Sequence, residues 1–241
     1  MKKLIALFMA MVMVLSFAAC ANSKPAGKAE EEKSPAMSYE EFMAAETDAV
    51  VCIDSYVQAT QSWWYDDEAS HGKVTVYLQD KDGAYFAYEV NMTEEEAGKL
   101  VPGTKVRVNG TKAEWAGEVE VMNGTIEILD GETFIAEAKD VTALMGTEDL
   151  EAEMNKLVTV KGMTFKSLSY KESSWDHDIY VTLTLGETDY EFCVENTLTG
   201  PDTEVYKAVE ALQAGDVVDV TGYLYWYEGP NTHITSITKV G

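Results

Sequence analysis

Leu100-x-x-Gly103-x-x-Val106-x-Val108-x-Gly110 returns later in the chain as Leu212-x-x-Gly215-x-x-Val218-x-Val220-x-Gly222, every position displaced by 112 residues. A pattern that recurs once at this distance is too long for a solenoid unit and fits a duplicated domain. Looser matches lie upstream. Thr75-Val76-Tyr77-Leu78 corresponds to Tyr180-Val181-Thr182-Leu183, and Val50-Val51-Cys52-Ile53 to Leu157-Val158-Thr159-Val160. The lead-ins agree in kind: Ser38-Tyr39-Glu40-Glu41 offers a capping box, and Thr147-Glu148-Asp149 opens a similar short segment. Two copies are therefore expected, residues 38–145 and residues 146–241.

Each copy reads in the same order. A β-rich segment comes first, 50–61 and 157–168. A hairpin follows, 73–78 with 85–90 through Asp80-Lys81-Asp82-Gly83, and 179–185 with 190–194 through Gly186-Glu187. The spacing then predicts a helix, 93–100 and 201–212, stopped by Gly103 and Gly215. Two closing strands run near Val106–Val108 and Val119–Val121, then near 218–225 and 233–237. Asp80-Lys81-Asp82-Gly83 places its glycine too early for an EF-hand loop and reads as a turn.

The order β-β-β-α-β-β is that of the OB-fold, a five-stranded, partly open barrel. V-x-V-x-G after the helix looks like the fourth strand of that fold, where glycine admits a sharp coil. The chain resembles tandem OB-fold lipoproteins of Gram-positive gut bacteria. More distantly it is similar to small envelope OB proteins and to the tRNA-anticodon-like OB group. The expected fold class is mainly β: two tandem OB-fold-like five-stranded barrels, each with a helix between strands 3 and 4, after a lipoprotein signal peptide.

That signal is read from the first residues. Lys2 and Lys3 precede an apolar run from Leu4 to Leu15, too short to span a bilayer, and small residues follow. Ala18-Ala19-Cys20 resembles the lipobox of bacterial lipoproteins, with Phe17 where the family has an aliphatic residue. The resemblance implies removal of residues 1–19 and lipidation of Cys20, so that acyl chains anchor the protein to the outer face of the cell membrane. Residues 20–37 have a tether's composition, with Pro25, Gly27 and Pro35 among Ala, Lys and Glu.

OB-folds bind ligands on the face of strands 2 and 3, framed by the 1–2 and 4–5 loops. All five tryptophans map to those loops: Trp63, Trp64 and Trp175 to the 1–2 loops, Trp115 and Trp226 to the 4–5 regions. Tyr65 and Tyr227 accompany them. Such rings either stack on a ligand or plug the open end of a barrel. The 1–2 loops also hold Asp66, Asp67 and His71 in one copy and Asp176, His177 and Asp178 in the other, which suit a divalent cation, although the spacing matches no known metal motif.

Charge limits the partners. The 18 Lys and Arg stand against 42 Asp and Glu, a net charge of −24. Both copies are acidic, which argues against a nucleic-acid partner and against binding to an anionic membrane surface through protein charge. A glycan, a peptide or a cationic protein surface is the expected partner. The sequence carries no G-x-S-x-G, P-loop, H-E-x-x-H or C-x-x-C. The reading is a non-catalytic surface-exposed binding or adaptor lipoprotein without a cofactor. The alternatives are a nucleic-acid-binding OB-fold protein and a passive structural spacer.

Overall fold

The computed structural model describes residues 35–171 and 177–240. The export signal at 1–19, Cys20 and all but the last residues of the tether at 20–37 lie outside them. Among the described residues no helix is long and apolar enough to cross a membrane.

The chain opens on α1 (Tyr39–Ala44). The Ser38 side chain accepts from the Glu41 amide and the Glu41 carboxylate accepts from the Ser38 amide, so two donors that a helix start leaves open are satisfied. The first barrel follows: β1 (Val50–Thr60), β2 (Trp64–Asp66), β3 (His71–Gln79), β4 (Ala84–Asn91), α2 (Glu94–Ala97), β5 (Lys105–Trp115) and β6 (Glu118–Ile128). The second is β7 (Lys139–Asp140), β8 (Leu157–Tyr170), β9 (Ile179–Leu185), β10 (Thr188–Val194), α3 (Glu204–Glu210), β11 (Val217–Tyr223) and β12 (His233–Lys239).

Strand pairing identifies the topology. In the first sheet β1 pairs with both β3 and β5, β3 with β4, β4 with β6 in parallel, and β6 with β5. That ring is a closed Greek-key barrel of OB type, with β2 added at the edge of β3. The second sheet repeats it through β8, β9, β10, β12 and β11, again with one parallel pair, β10 with β12. The fold is mainly β with two OB-fold-like barrels. Lys139 and Asp140 pair with Val158 and Thr159, so the second sheet begins within the stretch that the repeat places in the first copy. Two adjacent chain segments in parallel register give their backbone groups partners there.

The repeated glycines answer to geometry. Gly103 and Gly215 have φ of +90° and +96°, as residues after a helix often do. At Gly110 and Gly222 the register slips where β5 meets β6 and β11 meets β12. A Cβ at Gly110 would press on Val121 and the Met122 carbonyl, and one at Gly222 on the His233 carbonyl. The helices are shorter than the spacing predicts. Thr93 caps α2 as expected, but Gly98 closes it after one turn. α3 lays Tyr206 and Val209 into the second core.

Each barrel has its own core, Phe42, Ile53, Val76, Leu78 and Val108 among the first, and Val160, Phe165, Leu183, Phe192 and Val220 among the second. A third cluster joins them. Tyr77 and Phe86 project outward from β3 and β4 and are buried with Tyr223 of β11. Tyr77 stacks on Tyr223 at 4.5 Å between centroids, and Phe86 meets Tyr225 edge-on at 5.3 Å. The Tyr77 hydroxyl accepts from Gln61 and is hydrogen-bonded to Nδ1 of His233, 2.6 Å away. Burial lowers the His233 pKa to about 3 and keeps the ring neutral.

Candidate functional site: the cleft between the barrels

The two 4–5 connections meet. The turn after β5 is Ala116-Gly117, and its Ala116 carbonyl accepts from the Glu228 amide in the loop after β11. The Trp226 amide donates to Glu118 Oε2 at 2.8 Å. With the loops fastened this way, Trp115 from one barrel faces a cavity of about 390 Å³ together with Tyr180, Tyr225, Tyr227 and His233 from the other. A second cavity of about 320 Å³ shares Trp115 and Tyr225 and adds Tyr88, Glu120 and Met122. Trp115 is 62% exposed and Tyr227 is exposed beside it.

The remaining rings are divided. Trp63 donates from Nε1 to the Met92 carbonyl at 2.9 Å and packs on the first core. It lines a separate cavity of about 560 Å³ on the first barrel with Tyr65, His71 and Met92. Trp64 is 42% exposed, and the Lys73 ammonium stands 5.0 Å over its ring. Trp226 packs against the second core. Trp175 lies outside the described residues. The structure therefore brings Trp115 together with Tyr225 and Tyr227 of the other barrel, while Trp63 and Tyr65 line their own cavity.

The acidic loops are placed as follows. Asp66 accepts from the Glu68 and Ala69 amides and pairs with Lys73 at 2.7 Å. The Lys73 hydrogen bond, then that from Ala69, holds its carboxyl below the usual range. His71 donates from Nδ1 to the Ala69 carbonyl, and Asp67 is exposed. Asp66 and His71 are engaged locally, and among the described residues these three do not gather as a ligand set. The His177 carbonyl accepts from the Tyr206 hydroxyl, and Asp176 lies outside the described residues. Asp178 is buried, accepts from the Asn196 amide and pairs with Lys171. Among the described residues, the donor atoms of Asp178, Cys193 and Glu195 lie within 4.8 Å of one another at the wall of the larger cavity. That is the set able to approach a cation, and it shares Asp178 alone with the set read from sequence. No disulfide joins Cys52 to Cys193.

Sequence reasoning did not single out two buried carboxylates of β6, Glu120, which lines the smaller cavity, and Glu118, which accepts from the Trp226 amide. Glu118 is fully enclosed, and desolvation raises its pKa to about 8. Glu120 is 5% exposed, and desolvation followed by the Glu89 charge raises it to about 7.

No protein-family model and no curated protein matches the sequence. Solved structures of similar arrangement exist. One is described as a murine DNA binding protein bound with ds DNA, at 9% identity and a TM-score of 0.39, covering 79% of this chain and 96% of that one. Another is a replication protein A heterotrimer bound to ssDNA, at 13% identity and a TM-score of 0.35, covering 83% of this chain and 51% of that one. A third is p202 HIN1 in complex with 12-mer dsDNA, at 9% identity and a TM-score of 0.36, covering 83% and 99%. Against the expectation that charge sets nucleic acid aside as a partner, these solved structures are described with DNA, and that expectation is withdrawn.

Proposed function

We propose that the chain is a non-catalytic binding module that holds its ligand in the cleft between its two barrels. The observation that carries this is the convergence of Trp115, exposed at the end of β5, with Tyr225 and Tyr227 of the other barrel on two adjoining cavities. Exposed rings that frame a concave space suit stacking on a planar or apolar ligand. Two side chains at the cleft with acid–base character are engaged within the protein, His233 with Tyr77 and Lys171 with Asp178. Nucleobases stack on such rings as well, which makes single-stranded nucleic acid the second reading. The similar solved chains are described with DNA.

The test is a screen of small molecules and single-stranded oligonucleotides against the full chain and a Trp115→Ala/Tyr227→Ala variant. A ligand bound by the parent and lost by the variant, at an unchanged melting temperature, is the expected result. Equal binding by both, or a variant that melts more than about 5 °C lower, refutes the cleft as a ligand site; that shift is the scale of a 1–2 kcal/mol stability loss.

We also propose export and lipid anchoring at Cys20, supported by Lys2, Lys3, the apolar run and Ala18-Ala19-Cys20. Metabolic labelling with a fatty acid is expected to mark the parent chain. Label persisting on a Cys20→Ala variant rules the anchor out.

A further inference from the structure

We infer that the smaller cavity of the cleft is a cage for a small alkylammonium cation, of which a trimethylammonium group is the simplest form. The inference rests on the cleft reading and names its ligand class. Three of the five lining residues are rings, Tyr88, Trp115 and Tyr225, and a fourth, Met122, is apolar and polarizable. Ring faces attract a cation through their quadrupole, most strongly where water is excluded.

The fifth residue decides the sign of the ligand. Glu120 is 5% exposed and lines the cavity. Among the described residues its carboxylate has no hydrogen bond and no ion pair, and the charge that acts on it is the like charge of Glu89. Lys73 is held by Asp66 and Glu89 at 2.7 and 2.8 Å, and Lys112, paired with Val121, donates to the Met43 and Ala45 carbonyls. A buried carboxylate without a partner is costly when ionised, and among the described residues no counter-charge meets it. A neutral ligand would fill the cavity and leave that cost in place. A cation with apolar substituents satisfies both the rings and the carboxylate. A strongly hydrated inorganic cation would gain little from rings and a thioether, which favours an organic one. The cavity of about 320 Å³ accepts a group of that size.

The experiment is calorimetry on the full chain with two probes of one shape, choline and the uncharged 3,3-dimethylbutan-1-ol. Choline is expected to bind saturably and the alcohol at least about tenfold more weakly. Trp115→Ala and Glu120→Gln are each expected to weaken choline by about tenfold. Should Glu120→Gln fail to fold, Glu120→Asp keeps the charge and must retain part of the binding. Equal affinity for the two probes overturns the cation class and leaves the cleft standing as an apolar site. Choline binding untouched by Trp115→Ala puts the cation elsewhere and overturns the cage. Absence of choline binding overturns the cation class alone, and the screen with Trp115→Ala/Tyr227→Ala then decides the cleft.

Discussion

Glu118 and Glu120 stand two apart on β6, both withdrawn from solvent. Folded, burial raises them to about 8 and about 7; unfolded, both titrate near 4.5. The folded chain thus keeps protons that the unfolded chain has released, and stability falls as pH rises from 4.5 towards 8. His233 acts in the opposite sense, because its imidazole stays neutral down to about pH 3 when folded and charges below about 6.5 when unfolded. Its contribution is present above pH 6.5 and is lost as pH falls towards 3. Above pH 6.5 the His233 effect is spent and the carboxylate effect continues. The melting temperature is expected to fall between pH 6.5 and 8.5, and Glu118→Gln to remove most of that slope. A slope unchanged in Glu118→Gln contradicts this account. Trp115 was legible as a candidate because the chain has five tryptophans, whereas Tyr88 and Tyr180 are two of 13 tyrosines and sit within ordinary strand patterns. These two glutamates were not, since Glu118-Val119-Glu120-Val121 among 42 acids reads as a strand with one solvated face.

At the scale of elements, the alternating runs and the V-x-V-x-G pattern marked the barrel strands because a half-buried strand has period two and a coiled one needs glycine. Gly222→Ala is expected to destabilise by about 1–3 kcal/mol, since its Cβ meets a backbone carbonyl that cannot rotate away. Gly98→Ala, where φ is −62° and the nearest atoms stand 3.5 Å off, is the control and is expected to hold or raise the melting temperature. Similar melts for both variants count against the close-approach account. The helices were overread: an acidic, capped start at Thr93 was visible, but the length of α2 was set by Gly98 and by the little apolar surface that the segment can bury. Val74–Leu78 and Ala84–Ala87 are buried without alternation, the mark of strands covered on both faces.

For the whole molecule that double burial means the barrels are fused through Tyr77, Phe86 and Tyr223. Residues 34–241 form one compact unit. A single calorimetric transition is expected for the barrels, and Phe86→Ala is expected to lower stability by about 3–5 kcal/mol by emptying the shared cluster. Two separated transitions in the parent chain are incompatible with a fused pair. The contact joins unlike surfaces: the outer face of β3 and β4 on one barrel meets β11 and β12 of the other. Such a head-to-tail joint does not close on itself, and in a series of identical parts it would propagate into a fibre. The second copy lacks the means to continue. Tyr77 and Phe86 are cross-strand partners in the first barrel, and the matching pair in the second is Thr182 and Glu191. Where the first copy offers two rings to a neighbour, the second offers a hydroxyl and a charge. That outer face of β9 and β10, with Tyr180, Glu191 and Cys193, instead becomes a wall of the cleft.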